Sequence, residues 1–144
     1  MSGQTARRGL GTLLQQAFHP ITYTLYPLQT GVPAVGVALA AGNAIWGALA
    51  DIVPALTSPI VEFWLTQIHW DTTDGNQFDV RIRNTTLGVN IFETRIHVTV
   101  ATVNLAPTDM PFPIPLAALT QVQGQAAGTN TKVIGTSLLI ATGL

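Results

Sequence analysis

The sequence predicts an all-β fold, a jelly roll or β-sandwich with an extended N-terminal arm. Three observations carry that expectation. "FDVRIRN" (78–84) alternates without a break, with Phe78, Val80 and Ile82 on one face and Asp79, Arg81 and Arg83 on the other. That is the period of a half-buried strand. Short apolar runs recur at roughly ten-residue spacing between Gly/Asn/Asp/Pro-rich turns, the rhythm of a sandwich or barrel. Finally, "FPIPLAALTQVQGQ" (112–125) carries no charge and sets Pro113 and Pro115 around Ile114, ahead of Gln121, Gln123 and Gln125. Proline cannot donate to a ladder, so this ribbon suits an edge strand or a connection crossing between sheets.

In chain order, residues 1–9 read as a flexible arm and "LGTLLQQAF" (10–18) as a short helix with Leu10, Leu13, Leu14 and Phe18 on one side, stopped by Pro20. "ITYTLYPL" alternates and ends at Pro27, a strand. "AVGVALAAG" (34–42) sets Val35, Val37 and Leu39 on one parity, whereas "AIWGALADIV" (44–53) fits helix or strand until Pro54 ends it. "FWLTQIHW" places Trp64, Thr66, Ile68 and Trp70 on one face and Phe63, Leu65, Gln67 and His69 on the other. Asp74-Gly75 then signals a hairpin into "FDVRIRN". "NTTLGVN" is a second turn, and "IFETRIHVTVATV" a strand that slips phase near its start, because Thr94 shares the parity of Phe92, Ile96 and Val98. "LAPTDMPFP" reads as a loop, and "IPLAALTQVQGQAAG" and "KVIGTSLLIATGL" as two strands around "GTNT" (128–131). The organisation expected is an N-terminal arm over 1–32, with its helix and strand, and a β-sandwich domain over 33–144.

Composition narrows the function. The chain has 144 residues, one ordinary domain, of which 47% are hydrophobic and only 9% charged. A formal charge of -1 leaves no electrostatic footprint for nucleic acid. Net charge near zero favours association. The absence of cysteine removes disulfides, thiolate zinc sites and thiol catalysis. The window 32–50 is uncharged, but Pro33, Gly36, Gly42, Asn43 and Gly47 and its many alanines make a poor spanning helix.

The candidate chemistry is weak beside its plain alternatives. Asp71, Asp74 and Asp79 cluster as calcium ligands would, yet without the alternate spacing and closing glutamate of an EF-hand loop. His19, His69 and His97 lack metal-ligand spacing. Ser2, Ser58 and Ser137 sit outside any nucleophile elbow, and no phosphate-binding glycine motif occurs. No catalytic residue, metal or cofactor is therefore expected, and the chain reads as a non-enzyme. Trp46, Trp64 and Trp70 suit a sandwich interior, with sugar stacking or a subunit interface as the other readings.

The run of "WGALADIV", "FWLTQIHW" with its following turn, "FDVRIR", the extended "FPIPLAA", the polar "LTQVQGQ" and the closing "IGTSLLIATGL" resembles head-decoration and virion-surface proteins of tailed bacteriophages, over residues 35–144. The resemblance implies a jelly-roll module on a capsid surface, often a homotrimer, partnered by the major capsid protein or other virion proteins, and present in the host cytoplasm during assembly. It implies no membrane or nucleic-acid partner. Docking is expected to use the arm, with Arg7, Arg8 and Phe18 as anchors. The alternative is a tail- or fibre-associated or carbohydrate-binding module using Trp46 or Trp70 as a platform.

Overall fold

A computed structural model describes residues 20–28, 36–71, 75–99, 105–128 and 132–144. Among them there are nine strands and no helix: β1 (Thr22–Tyr26), β2 (Val37–Asn43), β3 (Ala50–Val53), β4 (Phe63–Asp71), β5 (Asn76–Asn84), β6 (Val89–Val98), β7 (Thr108–Leu116), β8 (Val122–Gly128) and β9 (Val133–Thr142). The helix expected over 10–18 and the arm before it lie outside the described residues.

The strands form two sheets. One runs β7-β4-β9, and its far edge along β9 is shared end to end by β1 and the first half of β2. The other runs β6-β5-β8, and its far edge along β8 is shared by β3 and the last residues of β2. β2 therefore crosses from one sheet to the other, antiparallel to β9 and then parallel to β8. From β4 onward the chain changes sheet at every connection except the β5–β6 hairpin, the order expected of a jelly roll.

Alternation in β5 holds as the sequence predicts, with Phe78, Val80 and Ile82 fully buried between the sheets. They meet Leu39, Ile52, Phe63, Leu65, Ile68, Ile134, Leu138 and Ile140 in one core. Each such side chain contributes roughly 1.5–3 kcal/mol through burial. The phase slip in β6 is a β-bulge. Ile82 stands opposite Phe92 and Arg83 opposite Asn90, which leaves Ile91 as the extra residue.

Four expectations need correction. The faces assigned to β4 are broken by a bulge at Thr66. Leu65 faces Ile140 and Gln67 faces Leu139, so parity reverses and Phe63, Leu65, Ile68 and Trp70 are all buried. The Thr66 hydroxyl donates to the Leu139 carbonyl at 2.9 Å. Second, β4 and β5 are not hairpin partners. Both edges of β4 are taken by β7 and β9, and both edges of β5 by β6 and β8, so the link through Asp74-Gly75 joins the two sheets. Third, "LAPTDMPFP" is a loop only at its start, because β7 begins at Thr108. "IPLAALTQVQGQAAG" is correspondingly two elements, the end of β7 and all of β8, in different sheets. Fourth, the 44–53 stretch resolves to an irregular segment followed by β3.

The proline ribbon behaves as its chemistry requires. β7 is an edge strand hydrogen-bonded to β4 alone among the described strands, and it carries Pro111, Pro113 and Pro115. Between Leu65–Ile114 and Gln67–Asp109, β7 bulges outward by the segment Met110 to Pro113. Met110 turns into the core there and Phe112 out of it.

Candidate interaction surface

Ladder register fixes which loops share an end of the sandwich. Thr22, Thr142, Phe63 and Leu116 form the last rung of one sheet. Val53, Val122, Asn84 and Val89 form the last rung of the other. Beyond these rungs lie three connections: 54–62 between β3 and β4, 85–88 between β5 and β6, and 117–121 between β7 and β8. They are tied together. Leu119 N–H donates to the Pro59 carbonyl at 2.8 Å, and Thr85 N–H to the Gln121 carbonyl at 3.1 Å. The Ser58 hydroxyl, buried, donates to the Thr120 carbonyl at 2.8 Å. The Tyr26 hydroxyl donates to the Thr57 carbonyl, and burial pushes its pKa up.

This end is apolar. Leu56 is 99% exposed, Ile60 82% and Leu87 72%, and Val61, Val89, Leu119 and Leu144 are exposed beside them. Glu62 is the single charged residue in the three connections. Beside them, Pro20, Val61, Trp64 and Leu144 line an open depression of about 440 Å³. Exposed aliphatic side chains grouped on a hydrogen-bonded platform mark an interaction surface, whereas single ones are ordinary.

The outer face of the β8 sheet is polar and ordered. Gln121 and Gln123 both donate to Asp51 Oδ1, at 2.7 and 2.6 Å. Gln125 donates to the Gly47 carbonyl at 2.8 Å and accepts from Arg81 Nε at 2.7 Å. The Arg81 guanidinium lies 4.1 Å from the centroid of the Trp46 ring, a cation–π stack. Arg95 grips Asp79 with both ends of its fork, at 2.6 and 2.9 Å, and holds that carboxyl below its usual range.

The residues singled out by sequence fall as follows. Arg7, Arg8, Phe18, His19, Ser2 and Asp74 lie outside the described residues. Asp71 ends β4 in one sheet and Asp79 sits in the other. His69 and His97 are likewise in separate sheets, and His69 Nε2 is 2.6 Å from Gln67 Oε1, whose amide donates to Asp109. Among the described residues no three of His, Asp and Glu gather as metal ligands would. Trp70 as a sugar platform is overturned. It is 7% exposed, and its indole N–H donates to the Thr108 hydroxyl at 2.9 Å. Trp64 is half-buried at the apolar end, and Trp46 half-buried against Arg81.

Sequence reasoning missed Leu56, Ile60, Leu87 and Leu119, which fall in turns far apart in the chain. The available signal was a large aliphatic residue in each turn, where Gly, Pro, Asn, Asp and Ser dominate for conformational reasons.

No protein-family model and no curated protein matches the chain. Among solved structures it is similar to a chain of infectious bursal disease virus, Gx strain, at 15% identity and TM-score 0.33, over 84% of this chain and 29% of that one. It is also similar to the VP2 subviral particle of infectious bursal disease virus, at 14% identity and TM-score 0.30, over 88% of this chain and 31% of that one. The chain thus spans less than a third of the length of either. The jelly-roll assignment stands on the strand pairing, and no function is carried across from these overlaps.

Proposed function

We propose that the chain is a structural protein of a virion, a jelly-roll module that decorates or cements the head of a tailed bacteriophage as a homotrimer. The observation that carries this reading is the apolar end. Leu56, Ile60, Leu87 and Leu119 stand exposed on three connections that are hydrogen-bonded to one another. A monomer gains nothing from such a surface, and a subunit in a shell buries it. The sparse charge elsewhere supports the same reading, because amides such as those of the β8 glutamines are buried at lower desolvation cost than ions. Jelly rolls also serve capsids generally, an analogy at the level of fold alone.

Attachment follows from burial of the apolar end against the major capsid protein, helped by the N-terminal arm. Arg7 and Arg8 pair with carboxylates of the neighbour, and Phe18 enters an apolar pocket. Within the segment 1–32, Pro20 and Thr22 line the depression bordered by Trp64. The protein is on the capsid surface, and in the host cytoplasm before assembly.

The experiment is density-gradient fractionation of lysates from cells producing the chain with its particles. The chain is expected with the nuclease-resistant, DNA-filled fractions. Recovery wholly at the top of the gradient refutes a virion role. Saturable binding to a glycan array, lost in Trp46→Ala, would install the sugar-binding alternative in its place.

A further inference from the structure

Among the described residues, the two longest edge strands of this fold are not alike. β7 is blunted by Pro111, Pro113, Pro115 and its outward bulge. β6, with the sequence VNIFETRIHV, is ten residues long, pairs with β5 alone among the described strands, and contains no proline, glycine or lysine. Edges of this length are ordinarily protected by such residues or by bulges; the bulge of β6 lies at Ile91, near its start, and leaves 92–98 as a template for another strand.

We propose that β6 pairs antiparallel with β6 of a second copy about a twofold axis at Thr94. Charge selects both occupant and register. With the core-facing sides of the two sheets aligned, a twofold pairing sets residues of like parity opposite each other. An axis at Glu93 puts two carboxylates face to face, and an axis at Arg95 puts two guanidinium groups together. Such like-charge pairs are destabilising. An axis at Thr94 sets Glu93 against Arg95 of the second copy, twice, and Phe92 against Ile96, also twice.

The flanking strands extend the pattern. Within one copy Asp79 stands opposite Arg95, and Arg81 opposite Glu93. Across the proposed contact the row reads Asp79, Arg95, then Glu93 and Arg81 of the second copy, so charge alternates over four strands. Phe92 and Ile96 are only partly buried in one copy and pack against the core from its edge. The contact covers them. It lies at the side of the sandwich and does not rest on the virion reading or on the apolar end.

The test is sedimentation velocity of the full chain and of charge variants. Wild type is expected to show a concentration-dependent twofold association through β6, a dimer of single chains or, where the homotrimer forms, a pairing of trimers. Glu93→Arg and Arg95→Glu, each alone, place like charges opposite one another and weaken it at least about tenfold. Mixed in equal amounts, the two variants restore complementarity at both pairs across the contact and recover a heterodimer. Thr94→Cys provides a second readout in a chain that has no cysteine. Residues facing each other on the axis are ~4.5–5.5 Å apart at Cα, within disulfide reach, so mild oxidation should link two copies covalently. The proposal is overturned if the mixture associates no better than each variant alone. It is also overturned if folded Thr94→Cys protein stays unlinked.

Discussion

Replacing Leu56 and Ile60 with serine separates the role of the apolar end from the stability of the sandwich. Leu56 is 99% exposed and Ile60 82%, so neither contributes appreciable burial to the isolated fold. The double variant should unfold within about 0.5 kcal/mol of wild type, as surface substitutions do. Association should respond very differently. If both side chains are buried on a neighbour, each is worth about 1.5–3 kcal/mol, and the pair about 3–6 kcal/mol. At 1.4 kcal/mol per tenfold, that is a loss of roughly 100-fold to 10,000-fold in affinity for the shell. The assay combines chemical denaturation with quantitative binding of purified protein to particles stripped of it. Unchanged denaturation with abolished binding is expected. Binding unchanged in the double variant refutes the argument that this end is the attachment surface. A loss of stability above about 2 kcal/mol would show instead that the two side chains belong to the core.

Further outcomes follow from the interior and the outer face. Thr136 is fully buried and its hydroxyl has no hydrogen-bond partner among the described residues. Thr136→Val keeps the shape and removes that unpaired group, so it should stabilise the fold by about 1 kcal/mol, read as a raised denaturation midpoint. Deleting Thr66 closes the bulge and leaves Phe63, Leu65, Ile68 and Trp70 alternating onto the core face in the same register with β9. The variant should therefore keep its cooperative transition and lose only about 1 kcal/mol with the Thr66 hydrogen bond, read by chemical denaturation, whereas inserting a residue there should turn Ile68 and Trp70 out of the core and abolish the transition. A Cβ on Gly47 would sit 2.0 Å from the Ala40 carbonyl oxygen. Gly47→Ala should therefore displace the 44–49 segment, and Trp46 fluorescence should lose its dependence on Arg81. The Asp79 carboxyl, held low by Arg95, stabilises the fold at pH above its unfolded value of about 3.9. That contribution is lost as pH falls through the lower folded value. Because the pair is largely exposed, Asp79→Asn should flatten the acid limb of a stability–pH curve only slightly.

Much of the fold was legible because one physical pattern dominates it. Phe78, Val80 and Ile82 alternate with charged residues, and only one face of such a strand can be buried. The proline ribbon was legible for a similar reason, since a residue without N–H is poorly suited to an inner strand. What escaped was set by partners distant in sequence. Thr66 continues the alternation of β4, and nothing local marks it as the residue that the ladder skips. Asp74-Gly75 announces a change of direction but not which strand will be paired, and here both neighbours of β4 come from much later in the chain. The apolar end depends wholly on topology. Leu56, Leu87 and Leu119 are about thirty residues apart, and each looks like a stray exposed side chain until the jelly roll gathers their connections. The Trp46–Arg81 stack escaped in the same way, because the sequence shows two residues and the fold shows one contact.

The central claim is that this chain is a stoichiometric component of a shell. Its most direct test is the copy number of the chain in purified particles, measured by quantitative mass spectrometry against the major shell protein. The account predicts a ratio near one-to-one, or one trimer for every few shell subunits. A handful of copies per particle would contradict head decoration and move the protein to a tail, vertex or fibre, and absence from the particles would contradict the virion reading altogether.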